Sequence, residues 1–159
     1  GIYACAISAA HPHLRATVLE KPPVDRVAAQ LIAGRGHAEK VSVQAGDMFA
    51  EPLPTGFDVH LFSNVLHDWD TPVVKQLLAK SFAALPSGGL LVIHDMHLNA
   101  DKAGPLPVAE YSVILMHSTE GKCYSLGELD ELFRALGFRD LRHTPTEADR
   151  SLVTAVKPR

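Results

Sequence analysis

The densest group of reactive side chains is Ser63–Asn64–Val65–Leu66–His67–Asp68–Trp69–Asp70. It follows an apolar run, Phe57–Phe62, that reads as a strand suited to burial on both faces. His67 can exchange a proton near neutral pH, and Trp69 offers a flat apolar face. A second apolar run, Leu90–Ile93, leads into His94–Asp95–Met96–His97. Adjacent parallel strands present their carboxyl ends at one rim, so Asp95 can lie beside His67. A His–Asp pair of that kind orients the imidazole and stabilises its charged form, which a general base requires. The competing interpretation is structural: Asp68 and Asp70 cap the next helix, and His67 satisfies a backbone carbonyl.

Two further strand ends carry chemistry. Glu20 closes the run Leu14–Leu19, where a carboxylate can accept both hydroxyls of a ribose. It could equally be a solvated residue flanking a helix. Gly46–Asp47–Met48–Phe49 follows Val41–Ala45. Asp47 could accept from an adenine amino group and Met48 could pack on the base, although Gly-Asp is also common turn chemistry. His11–Pro12–His13 and His94-x-x-His97 provide no third ligand at convincing spacing, so no metal is expected. Ser8 and Ser87 lack a GxSxG context, and no phosphate-binding GxxxxGK[ST] loop occurs.

Positioning these residues requires alternating helices and strands. Ile2–Ala10 reads as a short helix stopped before Pro12, and Pro22–Pro23 opens a helix to about Ala33, ended by Gly34 and Gly36. Asp70 and Thr71 can cap a helix from Pro72 to Leu85, with Pro86–Ser87–Gly88–Gly89 as its exit. Pro107–Ser118 and Ser125–Leu136 read as helices, the second amphipathic and closed by Gly137. Phe138–His143 and Leu152–Val156 close the chain as strands. The pattern implies βαβ units and a mainly parallel sheet of the doubly wound α/β class. The link Thr144–Arg150 is too short for a crossover helix, so the last two strands form an antiparallel hairpin, giving an antiparallel edge strand.

The chain has 159 residues, 47% hydrophobic and 21% charged, enough to bury the core of one domain. A net charge of −3 without a basic block argues against a nucleic-acid partner. No apolar run reaches the roughly 18 residues of a membrane span, and no signal peptide is visible. Two cysteines, Cys5 and Cys123, outside any CxxC pair suit a reducing cytoplasm.

The ordered series Gly46–Asp47–Met48–Phe49, Phe57–Asp58, Leu66–His67–Asp68–Trp69, Leu85–Pro86-x-Gly-Gly89 and Leu91–Val92–Ile93–His94–Asp95 resembles the class I S-adenosylmethionine-dependent O-methyltransferases. The resemblance is to the catalytic domain of the branch containing the plant caffeic-acid and acetylserotonin enzymes. Thr119–Ser125, Ala135–Phe138 and Asp149–Ser151 resemble its bacterial members.

The resemblance implies a Rossmann-like, mostly parallel sheet with an antiparallel C-terminal hairpin. S-adenosylmethionine would be the methyl donor, S-adenosylhomocysteine the product, and a small, aromatic hydroxyl compound the acceptor. By resemblance, Glu20 binds the donor's ribose, Asp47 and Met48 hold its adenine, and Trp69 lies nearby. His67 is the base and Asp95 orients it. A second family carboxylate follows a Gly-Lys pair; here Gly121–Lys122 precedes Cys123, so that role is vacant or passes to Glu120. Ser63 stands where plant members often carry lysine. Tyr111, Ile114, Leu115, Met116 and Ser118 are candidates for the acceptor-pocket wall, or else ordinary helix core.

The family's glycine-rich donor loop could be represented only by Gly1. The first strand and the N-terminal dimerisation domain are expected to be missing, which makes residues 1–159 part of a catalytic domain whose parent is a homodimer. Two sheet edges would then be open. The isolated chain is expected to self-associate through that gap or to bind donor poorly. A monodisperse monomer with normal donor affinity would contradict this. Two other readings remain at this point: a catalytically incomplete donor-binding or self-associating module, and a nicotinamide-dependent enzyme in which Glu20 binds the cofactor's ribose.

Overall fold

Two separate sets of strand pairings organise the chain, and a computed structural model describes all of residues 1–159. They fall in two compact units, Gly1–Pro52 and Leu53–Arg159.

The first unit contains α1 (Ile2–Ala10), β1 (Ala16–Glu20), α2 (Val24–Gly34) and β2 (Val41–Ala45). The strand expected from Leu14 begins at Ala16, with Leu14 itself exposed. β1 and β2 pair in parallel, from Ala16 opposite Val41 to Glu20 opposite Ala45. α2 makes the crossover that a parallel pair requires. Ile32 of α2, Cys5 of α1 and Val41 form a small core, against which Val18 and Val43 pack.

The second unit contains β3 (Val59–Ser63), a 3-10 turn (Leu66–Asp68), α3 (Thr71–Ala84), β4 (Leu90–Asp95), α4 (Leu106–Ser118), α5 (Leu126–Leu136), β5 (Arg139–Pro145) and β6 (Ser151–Val156). Its sheet has the order β3-β4-β6-β5. β3 and β4 are parallel, while β6 is antiparallel to both β4 and β5. The closing hairpin therefore forms as expected. The antiparallel strand is not at the sheet edge, however: β6 lies inside and β5 takes the edge. A short link fixes only how β5 and β6 run relative to each other; side-chain pairing selects which of them meets β4. The row Leu91, Ile93 and Asp95 alternates into the buried face opposite Ala155, Val153 and Ser151.

β3 also departs from expectation. Phe62 is buried and His60 shares a hydrogen bond with Ser81 of α3 at 2.9 Å, but Val59 and Leu61 on the opposite face are 50% and 38% exposed. An apolar run alone does not distinguish a strand covered on both faces from one covered on a single face.

Helix ends follow local chemistry. Asp70 accepts from the Val73 amide at the start of α3. Ser125 and Glu128 form a reciprocal capping box on α5, and Gly137 ends it at φ 98°. At the hairpin tip, Ala148 and Asp149 both take φ 57°. Phe138 packs edge-to-face on Phe82 of α3 and also meets Phe133 of α5, at centroid distances of 4.9 and 5.7 Å. Phe138→Ala is expected to cost about 3–5 kcal/mol of unfolding free energy, measured by urea denaturation.

Candidate active site

The strongest catalytic geometry lies in the second unit. β3 ends in Ser63, the chain turns through Asn64 at φ 53°, and the 3-10 turn carries His67. Buried Leu66 anchors that turn. Asp95 sits in phase with the core-facing residues of β4, which leaves the residue 3% exposed. Nδ1 of His67 donates to Oδ1 of Asp95 at 2.6 Å, and the same oxygen accepts from the Met96 amide at 2.8 Å. A carboxylate only accepts, so the neutral imidazole carries its proton on Nδ1 and its lone pair on Nε2. Oδ1 of Asp68 stands 3.6 Å from Nε2, and the Tyr111 ring meets the imidazole edge-to-face with centroids 5.8 Å apart.

Burial lowers the affinity of His67 for a proton, but the hydrogen bond and charge of Asp95, joined by Asp68, outweigh it. The net pKa is raised above the ordinary 6.5. Charging this imidazole is therefore favourable despite its 6% exposure.

The remaining candidates are placed as follows. Glu20 ends β1 and accepts the Gly46 amide through its backbone carbonyl at 3.0 Å. The ribose and adenine candidates are thus neighbours at the carboxyl ends of two parallel strands. Oδ1 of Asp47 accepts from the Phe49 and Ala50 amides, and Oδ2 meets Lys21 at 2.7 Å. Lys21, then the Phe49 amide, holds the Asp47 carboxyl below its usual range. Lys21 is well exposed, so this pair is weakly held and leaves Oδ2 able to accept from a ligand. Met48 is half-buried beside them. Gly1 lies at the N-terminus of α1, where an added Cβ would approach Ile32 Cδ1 to 2.9 Å.

In the second unit, Ser63 shares a hydrogen bond with His94 at 2.8 Å, and the Trp69 carbonyl accepts from the Tyr124 hydroxyl. Glu120 reaches the histidine turn through its backbone: its amide donates to the Asp68 carbonyl at 3.2 Å while its side chain is exposed. Cys123 is 1% exposed, and burial pushes its thiol up to about 11. On α4, Tyr111 and Leu115 face inward around Val108 and Cys123. Ile114 and Met116 point outward at 60% and 64% exposure, and Ser118 is also exposed. Sequence reasoning did not single out Asp68 as the carboxylate near Nε2; its adjacency to His67 was the available signal. No cluster of three or more His, Cys, Asp or Glu side chains could hold a metal. A cavity of about 10 Å³ beneath Asp95, lined by Leu66, Ile93, His97, Tyr124 and Leu129, has room for only a water molecule.

Residues 1–139 match the O-methyltransferase domain family, and the chain belongs to it. The 3-hydroxy-5-methyl-1-naphthoate 3-O-methyltransferase of Streptomyces sahachiroi is 38% identical over 132 residues, covering 83% of this chain and 38% of that protein. The O-methyltransferase family 2 protein of Planctomyces limnophilus, solved with apigenin, superposes with a TM-score of 0.92 at 39% identity. It covers 99% of this chain, which corresponds to 47% of that one. Human N-acetylserotonin methyltransferase in complex with SAM gives a TM-score of 0.87 at 29% identity, over 96% of this chain and 43% of that one. The chain thus spans less than half the length of these relatives.

His97, beside the site, behaves oppositely to His67. It is buried, shares a 2.7 Å hydrogen bond with Ser151, and burial lowers its pKa to about 4. The folded state refuses a proton that the unfolded chain accepts below about 6.5, so this group's contribution falls as pH drops from 6.5 towards 4. His67 has the other sign: its contribution is full below the ordinary pKa and is lost as pH rises through the raised one. The His97 contribution should reach on the order of 3 kcal/mol. Thermal melts of wild type and His97→Gln between pH 7 and 4 should show a shallower acid decline in the variant.

Proposed function

We propose that this chain carries the donor-binding rim and the general base of an enzyme that methylates a hydroxyl of a small aromatic molecule. The observation that carries this reading is the buried His67–Asp95 pair at 2.6 Å, which directs an imidazole lone pair away from the carboxylate. Membership of the O-methyltransferase domain family supports it, as do the naphthoate substrate of the Streptomyces relative, the apigenin complex of the Planctomyces protein and the SAM complex of the human relative.

S-adenosylmethionine, when bound, supplies a methyl group on a positively charged sulfur and is released as S-adenosylhomocysteine. Glu20 would hold its ribose hydroxyls, and Asp47 with Met48 its adenine; Gly1, Ser63 and Trp69 are further donor-side candidates. Nε2 of His67 takes the acceptor's hydroxyl proton as the oxygen bonds to the methyl carbon. Asp95 keeps Nδ1 protonated and stabilises the imidazolium that results. Tyr111 and Leu115 are the wall residues best placed for an acceptor near His67, with Ile114, Met116 and Ser118 as outer candidates. Glu120 remains a candidate acid–base partner only if its side chain turns towards Nε2. A homodimer in the cytoplasm completes the proposal. The unpaired, buried Cys5 and Cys123 support a reducing compartment, and no helix is long and apolar enough to cross a membrane.

In the protein carrying this sequence, His67→Ala is expected to lower kcat about 10²- to 10⁴-fold with donor affinity retained. Wild-type activity in that variant would refute the base. Because the base works only when neutral, kcat/KM should rise with pH through the raised His67 pKa. Asp95→Asn should shift that acid limb to lower pH and reduce the rate. Glu20→Ala should weaken S-adenosylhomocysteine binding about 10- to 100-fold by calorimetry, without moving the limb.

A further inference from the structure

We infer that the segment Thr119–Tyr124 is a positioning brace for the His67 turn, with Gly121 as its steric key and Tyr124 as its tie. The inference deepens the proposed function and rests on His67 being the base. Asp95 fixes the imidazole from the β4 side, but it touches only the ring. The backbone that carries the ring is held by the segment between α4 and α5.

Three observations place the brace. The Glu120 amide donates to the Asp68 carbonyl at 3.2 Å. The Tyr124 hydroxyl donates to the Trp69 carbonyl at 2.8 Å. Between these two bonds, buried Gly121 lies so close to the turn that a Cβ would come within 2.1 Å of the His67 carbonyl oxygen. The same Cβ would lie 2.5 Å from the Trp69 nitrogen and 2.7 Å from the Asp68 carbonyl carbon. Every one of those atoms is backbone, so no rotamer change relieves the clash. The φ of Gly121 is outside the left-handed region. Its requirement for glycine is therefore one of space, and the space is that occupied by the histidine turn.

Both ends of the brace are anchored. Thr119 Oγ1 donates to the Leu115 carbonyl and accepts from the Gly121 amide, tying the start to the end of α4. Lys122 pairs with Glu128, the capping-box residue of α5, tying the other end to that helix. A side chain at position 121 would thus move the His67 turn, because α4 and α5 hold the brace in place.

The test uses the full protein carrying this sequence, with Gly121→Ala and Tyr124→Phe made alone and in a His67→Ala background. Displacing a base by about 1 Å can cost 10²-fold in rate. Gly121→Ala is therefore expected to lower kcat about 100-fold with donor affinity retained. Tyr124→Phe, which removes the hydroxyl's bonds to the Trp69 carbonyl and to Thr71 and keeps the ring, should lower kcat several-fold. Both should move the acid limb of the pH profile, and neither should reduce the residual rate of His67→Ala further. Wild-type kcat in Gly121→Ala, an unmoved limb, or full additivity with His67→Ala would overturn the brace. If Gly121→Ala does not fold, Tyr124→Phe decides by the same criteria. Histidine NMR separates this inference from the reading beneath it. In Tyr124→Phe the His67 ring resonances and titration midpoint should shift while those of His60 stay fixed. An unmoved His67 overturns the brace whether or not His67 is the base, whereas shifted resonances with an active His67→Ala would refute only the base.

Discussion

A buried carboxyl group must find polar partners inside the protein, and Asp95, 3% exposed, has one imidazole and one backbone amide. That constraint shapes the second unit. The alternation of β4 puts Asp95 in the row of Leu91 and Ile93, so the strand that builds the core also buries the charge. The partner must then be delivered from β3, the parallel neighbour of β4. The 3-10 turn after β3 does this within three residues of Asn64. The same burial lowers the pKa of His97, which stays neutral beside Ser151 and leaves Asp95 to His67. Two histidines near one carboxylate are thus driven in opposite directions by the balance of burial against pairing.

The first unit solves a different problem with the same geometry. Parallel pairing of β1 and β2 brings Glu20 next to the segment that begins at Gly46. Asp47 spends one oxygen on the amides of its own turn, which fixes the direction of the other. Those amide bonds are the turn chemistry that Gly-Asp after a strand announces, and the second oxygen faces the exposed Lys21.

Much of this was legible in the sequence because it is written in local chemistry. Pro12 and Gly46 mark the limits of the first elements, Ser125 with Glu128 announces a helix start, and Gly137 announces its end. Position after a strand identified Glu20, Asp47, His67 and Asp95 as candidates sharing rims. The missing information was non-local. Periodicity cannot choose between β5 and β6 as the neighbour of β4, and the apolar run Phe57–Phe62 does not reveal that Val59 and Leu61 lack cover. Gly121 left no trace either. Its φ is not in the left-handed region that marks a glycine, and its neighbours are more than 50 positions away in the chain, at His67 to Trp69.

The tip of the last hairpin bears on how the sheet assembles. Two left-handed central residues are the pattern of a type I′ turn, which favours Asn-Gly; this chain uses Ala148 and Asp149. Ala148 gains nothing from that conformation, so the tip resists closing on its own. β6 is nevertheless paired along its whole length with β4. The pairing of β6 with β4 therefore supports a hairpin that its own turn residues do not favour. The hairpin thus draws on contacts distant in sequence, along β4, more than on the local preference of its own tip.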